Sequence, residues 1–354
     1  LKGKEVWAVG IIMFIMSVGG AVGVFANPVV ALIPLGILLA KGLGFDGAVG
    51  FFMIYLGSYA GFNVGWANVF TVGIGQNIAE LPLFSGMGVR IFFHLANIAL
   101  VFIYVLRYIR MIQSDPTKSL LYTGEQIAQA EEANFDEKES MSISHLICTA
   151  IVVLGFAAII YGSLKHNWGI DHYSVVFFIM AVTCGLIGGL GVNGTAIAFV
   201  KGCASMAYAA LVIGMARAIS VIMTDGKIID TVIYYLSLPI AKFGAVVGAN
   251  LMFLANVVIN FFIPSGSGQA VTVMPIMVPL ADLTGITRQV AVQAFQFGDG
   301  FTNCIIPTAS VLMGGLGLSG IPYGKYVKWV TPLIVIQLLL AMVALTVLQM
   351  IGWS

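Results

Sequence analysis

A short run of serine, glycine and glutamine residues follows an apolar stretch in the second half of the chain. A helix that starts near Gln269 would direct its positive dipole end at the turn before it. Serine hydroxyls and free backbone N–H groups at such a helix start favour a bound carboxylate. We therefore predict contacts to a solute at one turn, which reads Pro264-Ser265-Gly266-Ser267-Gly268-Gln269.

A second run surrounds a single carboxylate, Asp299. Its flanking glycines predict unwound backbone, whose carbonyl oxygens could join Asp299 and Asn303 in binding Na⁺, because hard cations prefer oxygen ligands. Alternatively, Asp299 carries a proton, since acids inside apolar segments often mark proton paths. We also predict that Asn303, Pro307 and Thr308 contact the solute. The run reads Gln296-Phe297-Gly298-Asp299-Gly300-Phe301-Thr302-Asn303 and leads to Pro307-Thr308.

A related polar run occupies residues 61–73 in the first half of the chain. Asn68 and Thr71 offer neutral oxygen ligands to the solute, and Asn68 is also a candidate ligand for the coupling ion. Asn27 opens a short apolar arm just before this region. We predict that it contacts the solute from the opposite side to Ser265.

The two polar regions align when the chain is shifted along itself by 241 residues. Matching Gly and Pro positions carry the most weight, because these residues fix the shape of the backbone. Under this shift Ser58 falls on Asp299, so the halves are chemically unequal. Broken apolar segments at corresponding places in two halves predict a transporter binding site. The aligned pairs are Pro34 and Pro275, Leu39 and Leu280, Ala40 and Ala281, Gly44 and Gly285, Val49 and Val290, and Gly57 and Gly298.

The composition indicates that these segments lie in a lipid bilayer. Hydrophobic residue types make up 60% of the 354 residues and charged types only 9%, whereas a soluble domain carries about 25% charged residues. The mean hydropathy is +1.02. The net charge of +1 gives no reason to expect nucleic acid. The sequence contains no HExxH, GxSxG or P-loop motif, so neither an enzyme nor a cofactor is expected.

Long apolar windows predict a polytopic, all-α membrane protein, because a spanning helix needs about 20 mostly apolar residues. Regions 26–78 and 264–318 are interrupted by Gly, Pro and polar residues. In lipid, irregular backbone survives only inside protein or beside a cavity, so both regions predict a re-entrant hairpin followed by a discontinuous helix. The uninterrupted windows are Val6–Phe25, Val89–Leu106, Ile143–Tyr161, Val175–Val192, Met206–Met223, Val246–Phe262 and Val327–Ile351.

One polar loop, Met111–Ser142, divides the chain. Arg107 and Arg110 precede it, and the positive-inside rule therefore places the loop in the cytoplasm. We predict a first-half repeat over residues 1–110, a cytoplasmic linker over 111–142 and a second-half repeat over 143–354.

The remaining charged residues have separate interpretations. A buried arginine is costly unless it has a partner, so Arg217 is a candidate partner of a solute carboxylate or of Asp299. Arg90 lies at the edge of a predicted span, and we expect its side chain to extend to the membrane surface. His94 is expected to be a hydrogen-bonded structural group. The cysteines occur singly, so no metal site is expected beyond a Na⁺ site.

Three segments carry a resemblance to a known family. The run GSGQAVTVMPIMVPLADLTGITRQVAVQAFQFGDGFTNCIIPTASVLM (266–313) resembles the C4-dicarboxylate anaerobic carrier family of the YfcC type. The runs GMARAISVIMTDGKIIDT (214–231) and ANVFTVGIGQNIAELPLFSG (67–86) resemble it too. Members usually read Asn-Pro-Phe in the first-half motif, whereas Val69 replaces that proline here.

The resemblance implies more than the residues alone. This family belongs to the ion transporter superfamily, whose members have two inverted repeats, each with a hairpin and a broken helix, and an elevator mechanism. Members also carry additional N-terminal helices, so we expect this chain to be N-terminally truncated. Oligomerisation as a homodimer is expected by analogy only.

These observations together predict a secondary active transporter in the cell inner membrane. Its expected cargo is a small anionic or zwitterionic molecule such as a C4-dicarboxylate, coupled to Na⁺ or H⁺, with Asp299 as the coupling residue. One alternative is a basic amino-acid antiporter that exchanges arginine and ornithine, in which Asp299 meets the amine of the cargo. A channel-like or scaffolding membrane protein is the alternative from another class.

Overall fold

The computed structural model describes residues 5–26, 28–122, 143–166, 168, 170–240 and 242–354. Helices dominate this part of the chain and it contains no strand, which confirms the all-α prediction. Most of the predicted linker, residues 123–142, lies outside the described residues. The helices are α1 (Glu5–Ala21), α2 (Val29–Gly42), α3 (Gly47–Phe62), α4 (Val69–Gly73 continuing as Ile74–Ile78), α5 (Met87–Ser114), α6 (Ile143–His166), α7 (Ile170–Ile187), α8 (Gly191–Asp225), α9 (Ile228–Ile240), α10 (Ala245–Phe262), α11 (Gly266–Thr284), α12 (Arg288–Asn303), α13 (Ser310–Ser319) and α14 (Tyr323–Met350).

The helix boundaries recur along the chain. Helices α3 and α12 begin 241 residues apart and end 241 residues apart, and the same holds for α4 and α13. The starts of α3 and α12 are capped in the same way. The Val49 N–H donates to Asp46 Oδ1 over 2.9 Å, and the Val290 N–H donates to Thr287 Oγ1 over 3.3 Å. An oxygen-bearing side chain before each helix satisfies one of its free N–H groups.

A six-residue interruption separates α3 from α4, and another separates α12 from α13. We call them the first break (residues 63–68) and the second break (residues 304–309). Asn68 ends the first break as the N-cap of α4, since its Oδ1 accepts from the Phe70 N–H over 3.0 Å. Pro307 lies in the second break and has no N–H with which to continue a helix. Asn68 thus sets the start of α4, and Pro307 keeps α12 from continuing through the second break.

The prediction of unwound backbone around Asp299 is wrong, because α12 is helical through Asn303. Gly298 and Gly300 instead allow close packing. A Cβ on Gly300 would lie 2.5 Å from the Cα of Asn63, and a Cβ on Gly298 would lie 2.5 Å from the Cβ of Asn256. Real Cβ atoms do not approach so closely. The two glycines therefore let α12 lie directly against the first break and α10.

Three of the described helices, α5, α10 and α14, are long and apolar enough to cross a membrane. They contain three of the windows predicted from the sequence. The window Val175–Val192 is wrong as a single helix, because α7 ends at Ile187 and a turn leads into α8 at Gly191. The remaining windows fall on α1, α6 and α8, and α9 follows α8 in the chain.

The packing joins the two halves around the breaks. Helix α1 packs along the C-terminal part of α3, and α10 packs along α12 in the same way. Helix α2 contacts α13 of the other half, and α11 contacts α4 of the other half. Helix α7 packs against α6 and α8, and α8 contacts α13. Most of the buried apolar side chains that the structure describes belong to α1–α5 and α10–α14, the helices around the breaks.

Candidate functional site

Asp299 is a fully buried carboxylate near the C-terminal end of α12. One of its oxygens, Oδ1, accepts a hydrogen bond from Asn303 Nδ2 over 3.2 Å. The other, Oδ2, has no hydrogen-bond partner among the described residues. It lies 3.1 Å from the position that a Cβ on Gly266 would occupy. The carboxylate therefore offers a free oxygen to the start of α11, and no described Lys or Arg forms a salt bridge with it.

The segments that join α1 to α2 and α10 to α11, residues 22–28 and 263–265, are here called the first tip and the second tip. Ser58, which the 241-residue shift places on Asp299, donates from its Oγ to the carbonyl of Phe25 over 2.8 Å. Phe25 itself shifts onto Gly266. Equivalent residues therefore meet at both tips, yet the Ser58 hydroxyl is satisfied whereas Asp299 keeps a free oxygen.

Asn260 of α10 holds the C-terminal part of α12 in place. Its Nδ2 lies within hydrogen-bond distance of the Asp299 carbonyl (3.0 Å), Thr302 Oγ1 (2.7 Å) and Asn303 Oδ1 (3.1 Å). Because Asn303 in turn bonds Asp299, Asn260 positions both side chains. The sequence analysis did not predict this role of Asn260. The signal that could have indicated it is an asparagine near the end of an apolar span.

The second tip is accessible, unlike Asp299. Ser265 is the N-cap of α11, and its Oγ accepts from the Gly268 N–H over 3.3 Å. Helix α11 therefore begins at Gly266, three residues before the predicted start. Ser265 and Ser267 are exposed, whereas Gln269 is buried and donates to the carbonyl of Asn256 over 3.1 Å. Gly266 thus lies between the two exposed serines in the chain and next to the buried carboxylate of Asp299.

The first half contributes Thr71 to the same place. The Cγ2 atom of Thr71 lies 2.5 Å from the position of a Cβ on Gly266, so Thr71 and Asp299 flank the start of α11. Asn68 lies elsewhere, since its Oδ1 is 2.7 Å from the position of a Cβ on Gly23 in the first tip. The structure therefore brings together some of the predicted residues, but it places Asn68 beside the other tip.

Two other predicted residues lie in the second break, and two more are outside the description in whole or in part. Thr308 is buried in the second break with an unpartnered hydroxyl, and Pro307 beside it is partly exposed. Asn27 lies outside the described residues. Arg217 is on α8, and its side chain also falls outside the description.

Helices α3 and α12, which lead into the two breaks, contact each other through equivalent residues. Tyr55 Oη donates to the Asn303 carbonyl over 3.0 Å, and Gln296 Nε2 donates to the Phe62 carbonyl over 2.6 Å. Tyr55 and Gln296 are 241 residues apart, as are Phe62 and Asn303, so each half gives the other the same type of contact. Such reciprocity defines an approximate two-fold relation.

The same axis passes between the first residues of the breaks. Asn63 Nδ2 lies 3.8 Å from Cys304 Sγ, and these residues are themselves 241 apart. Beyond them, hydroxyl groups of α14 cap the second break. Tyr326 Oη donates to the Cys304 carbonyl over 2.8 Å, and Tyr323 Oη donates to the Ile305 carbonyl over 2.7 Å. The carbonyls released by the break are thus satisfied by the protein.

Most unpartnered polar atoms around the breaks are hydrogen-bond acceptors. Asn260, Gln269 and Gln296 each donate from their amide nitrogen to a backbone carbonyl, which fixes the remaining amide atom as oxygen. Each of these three oxygens is buried without a partner among the described residues, as is Asp299 Oδ2. A buried acceptor without a donor is costly. The centre therefore suits a cation or a ligand rich in N–H groups.

Arg90 is the clearest error of the sequence interpretation. Its side chain does not extend to a surface; it is fully buried and bonds Gln289 and Gln293 of α12. His94 is structural, as expected: Trp66 Nε1 lies 3.0 Å from its Nδ1, and Ser17 Oγ lies 3.0 Å from its Nε2.

Apolar crossing helices and two broken helices that meet at a buried polar centre are the features of a membrane transporter. The fold agrees with one solved transporter, the Alcanivorax borkumensis YdaH transporter, with a TM-score of 0.51 at 16% identity. That likeness covers 99% of this chain and 82% of the other.

The chain belongs to the C4-dicarboxylate anaerobic carrier family, whose model matches residues 28–350. An Escherichia coli K12 relative, described as "Putative basic amino acid antiporter YfcC", is 29% identical over 366 residues, covering 99% of this chain and 72% of the relative. An uncharacterized protein of Haemophilus influenzae is 29% identical over 350 residues, covering 98% of this chain and 68% of that protein. The family resemblance seen in the sequence is confirmed.

Proposed function

We propose that the protein is a secondary active carrier whose central site binds a positively charged group of a small solute at Asp299. Basic amino acids are the first class of solute to test. The observation that carries this proposal is the unpaired carboxylate of Asp299, together with the unpartnered acceptors of Asn260, Gln269 and Gln296. An ammonium or guanidinium group supplies several N–H donors and the opposite charge. The description of the Escherichia coli relative points to the same class of cargo.

A C4-dicarboxylate is the second candidate cargo. It is supported by the family description and by the exposed Ser265 and Ser267 at the start of α11, where a helix N-terminus favours a carboxylate. In this case Na⁺ would occupy the free oxygen of Asp299, or Asp299 would carry a proton. The two candidates therefore differ in what neutralises Asp299: the cargo itself or a coupling ion.

We infer that transport proceeds by movement of the broken helices and their tips as one body. The reciprocal contacts Tyr55–Asn303 and Gln296–Phe62 support this, because they tie the two halves together at the site. The helix pairs α1–α2 and α10–α11 would be re-entrant hairpins whose tips close over the cargo. A multi-pass location in the cytoplasmic membrane and a homodimer formed through α6–α8 belong to the same proposal.

Counterflow in proteoliposomes tests the proposed cargo. Vesicles are loaded with unlabelled arginine, ornithine, malate or succinate, and uptake of the labelled form is measured with and without Na⁺. We expect saturable exchange of arginine or ornithine. Na⁺-dependent exchange of malate or succinate alone would reject the amino-acid cargo and favour the second candidate. A flux that is linear in concentration would reject a carrier of either kind.

The Asp299→Asn substitution tests the role of the carboxylate. The variant keeps the shape of the side chain but loses its charge, so we expect exchange of a cationic cargo to fall by about a hundredfold, as loss of about 3 kcal/mol of charge pairing would give. Asp115→Asn is the matched control, because Asp115 lies on an exposed turn after α5. Unchanged exchange in Asp299→Asn would contradict the proposal.

A further inference from the structure

A second buried charge packs against the N-terminal part of α12, whereas Asp299 lies near the C-terminal end of that helix. Arg90 of α5 is fully buried, and its guanidinium bonds three neutral oxygens: Gln293 Oε1 (2.7 Å), the Ser85 carbonyl (2.6 Å) and Gln289 Oε1 (2.9 Å). No carboxylate among the described residues forms a salt bridge with it. A buried arginine without an acid is unusual, because desolvation of the charge is costly.

The groups left without partners in this cluster are donors. A guanidinium carries five N–H groups, and the three bonds above use one each. Gln293 accepts from Arg90 through Oε1, which leaves Nε2 of the same amide group as a donor. This nitrogen is buried and has no partner among the described residues. The cluster is thus the opposite of the Asp299 centre, where the unpartnered atoms are acceptors.

The helix dipole makes the potential positive here, and an aromatic ring covers the cluster. Gln289 and Gln293 belong to the first two turns of α12, where the helix dipole is positive. Trp353 places its ring 5.0 Å from the guanidinium carbon of Arg90, and it is only partly buried. The indole therefore covers one face of the cation and separates the cluster from the surroundings.

We propose that this cluster binds a small monovalent anion, held by Arg90 and by the amide nitrogen of Gln293 beneath the Trp353 ring. The anion supplies the negative charge and the acceptor that the surrounding residues lack. Gln293 and Asp299 are six residues apart, or about 9 Å along the helix, so this site is distinct from the cargo site. It joins α5 of the first half to α12 of the second.

The Gln293→Glu substitution is the central test. A glutamate keeps an oxygen for Arg90 and replaces the unpartnered nitrogen with a negatively charged oxygen, so it substitutes for the bound anion. The purified wild-type protein should show a thermal unfolding midpoint that rises saturably with NaCl but not with sodium gluconate at equal ionic strength. Gln293→Glu should unfold at or above the wild-type midpoint in gluconate and lose the response to chloride. Sodium acetate forms a third arm, and a response to acetate alone would assign the site to carboxylates.

Gln337→Glu is the matched control, because Gln337 is equally buried on α14 but bonds Asn97 and no cation. We expect this variant to be less stable than wild type and to retain the response to chloride. Equal midpoints in all three sodium salts would overturn the proposal. So would a loss of stability in Gln293→Glu as large as that in Gln337→Glu, since a glutamate beside Arg90 would then gain nothing from the positive charge.

Discussion

At the scale of single residues, the chemistry of the centre depends on which atom of each amide is free. Backbone carbonyls bind the nitrogen atoms of Asn260, Gln269 and Gln296, and their oxygens are therefore the atoms without partners. A carboxylate cargo would add acceptors to a place that already has too many. A cationic cargo or a coupling ion would instead supply a partner for these unpartnered acceptors.

Asn260 offers a direct test of this organisation. It contacts the Asp299 carbonyl and the side chains of Thr302 and Asn303, so Asn260→Ala should release the residues that orient Asp299. We expect the apparent affinity for the cargo to fall about tenfold, which corresponds to ~1.4 kcal/mol, the upper range for one hydrogen bond. Concentration-dependent uptake in proteoliposomes measures this change.

Asn250→Ala is the matched control for that experiment. Asn250 lies on the same helix, ten residues earlier, where its Nδ2 bonds Thr346 Oγ1 over 2.8 Å. The distance along α10 is about 15 Å, so the variant should bind cargo like wild type. Equal affinities in all three proteins would show that Asn260 is not needed to position Asp299.

At the scale of secondary-structure elements, the close contact between α12 and the first break depends on Gly300. A Cβ at this position would meet the Cα, C and O atoms of Asn63 at 2.5–3.1 Å. These are backbone atoms, so relief requires movement of a whole segment. We expect Gly300→Ala to destabilise the protein by about 1–3 kcal/mol, seen as a lower midpoint of thermal unfolding.

Gly314→Ala provides the contrasting case on α13. The nearest atom to its added Cβ would be Val30 Cγ1 at 3.8 Å, an ordinary van der Waals distance. Alanine is favoured over glycine in a helix by up to about 1 kcal/mol, so this variant should be as stable as wild type or more so. Similar destabilisation by both substitutions would mean that the close approach at Gly300 is not the cause.

The sequence predicted the places of the breaks better than the conformation around Asp299. Asn68 and Pro307 carry local signals, a helix cap and a missing N–H, that act within a few residues. The glycines beside Asp299 could serve either an unwound backbone or a close packing contact, and only the partner segment, Asn63, decides between them. Arg90 was misassigned for the same reason, because its partners on α12 are about 200 residues away in the chain.

At the scale of the whole molecule, the two halves are related by contacts as well as by sequence. Tyr55 and Gln296 exchange equivalent hydrogen bonds, and Asn63 meets its own counterpart, Cys304. The halves differ in charge beside the tips, because Asp299 stands where the first half has Ser58. An approximate two-fold framework thus holds one charged site rather than two equal ones.

The contacts between the two halves lead to a prediction about how the halves move during transport. Glu80, in the turn after α4, and Arg288, at the start of α12, form a salt bridge of 3.1 Å between the halves, and both are accessible. Cysteines at these positions, in a background without native cysteines, can be joined by a short reversible thiol cross-linker. If the halves move as one body, cross-linked protein should exchange cargo at the rate of the reduced protein.

A second cross-link should have the opposite effect, because it joins the peripheral helix α8 to the end of α10, next to the second tip. Met223 of α8 and Phe262 at the end of α10 line the same small cavity. Cysteines there should cross-link and stop exchange, and a reducing agent should restore it. If instead the 80–288 link stops exchange and the 223–262 link does not, the two halves move against each other, and the reciprocal contacts at the breaks must open in every transport cycle.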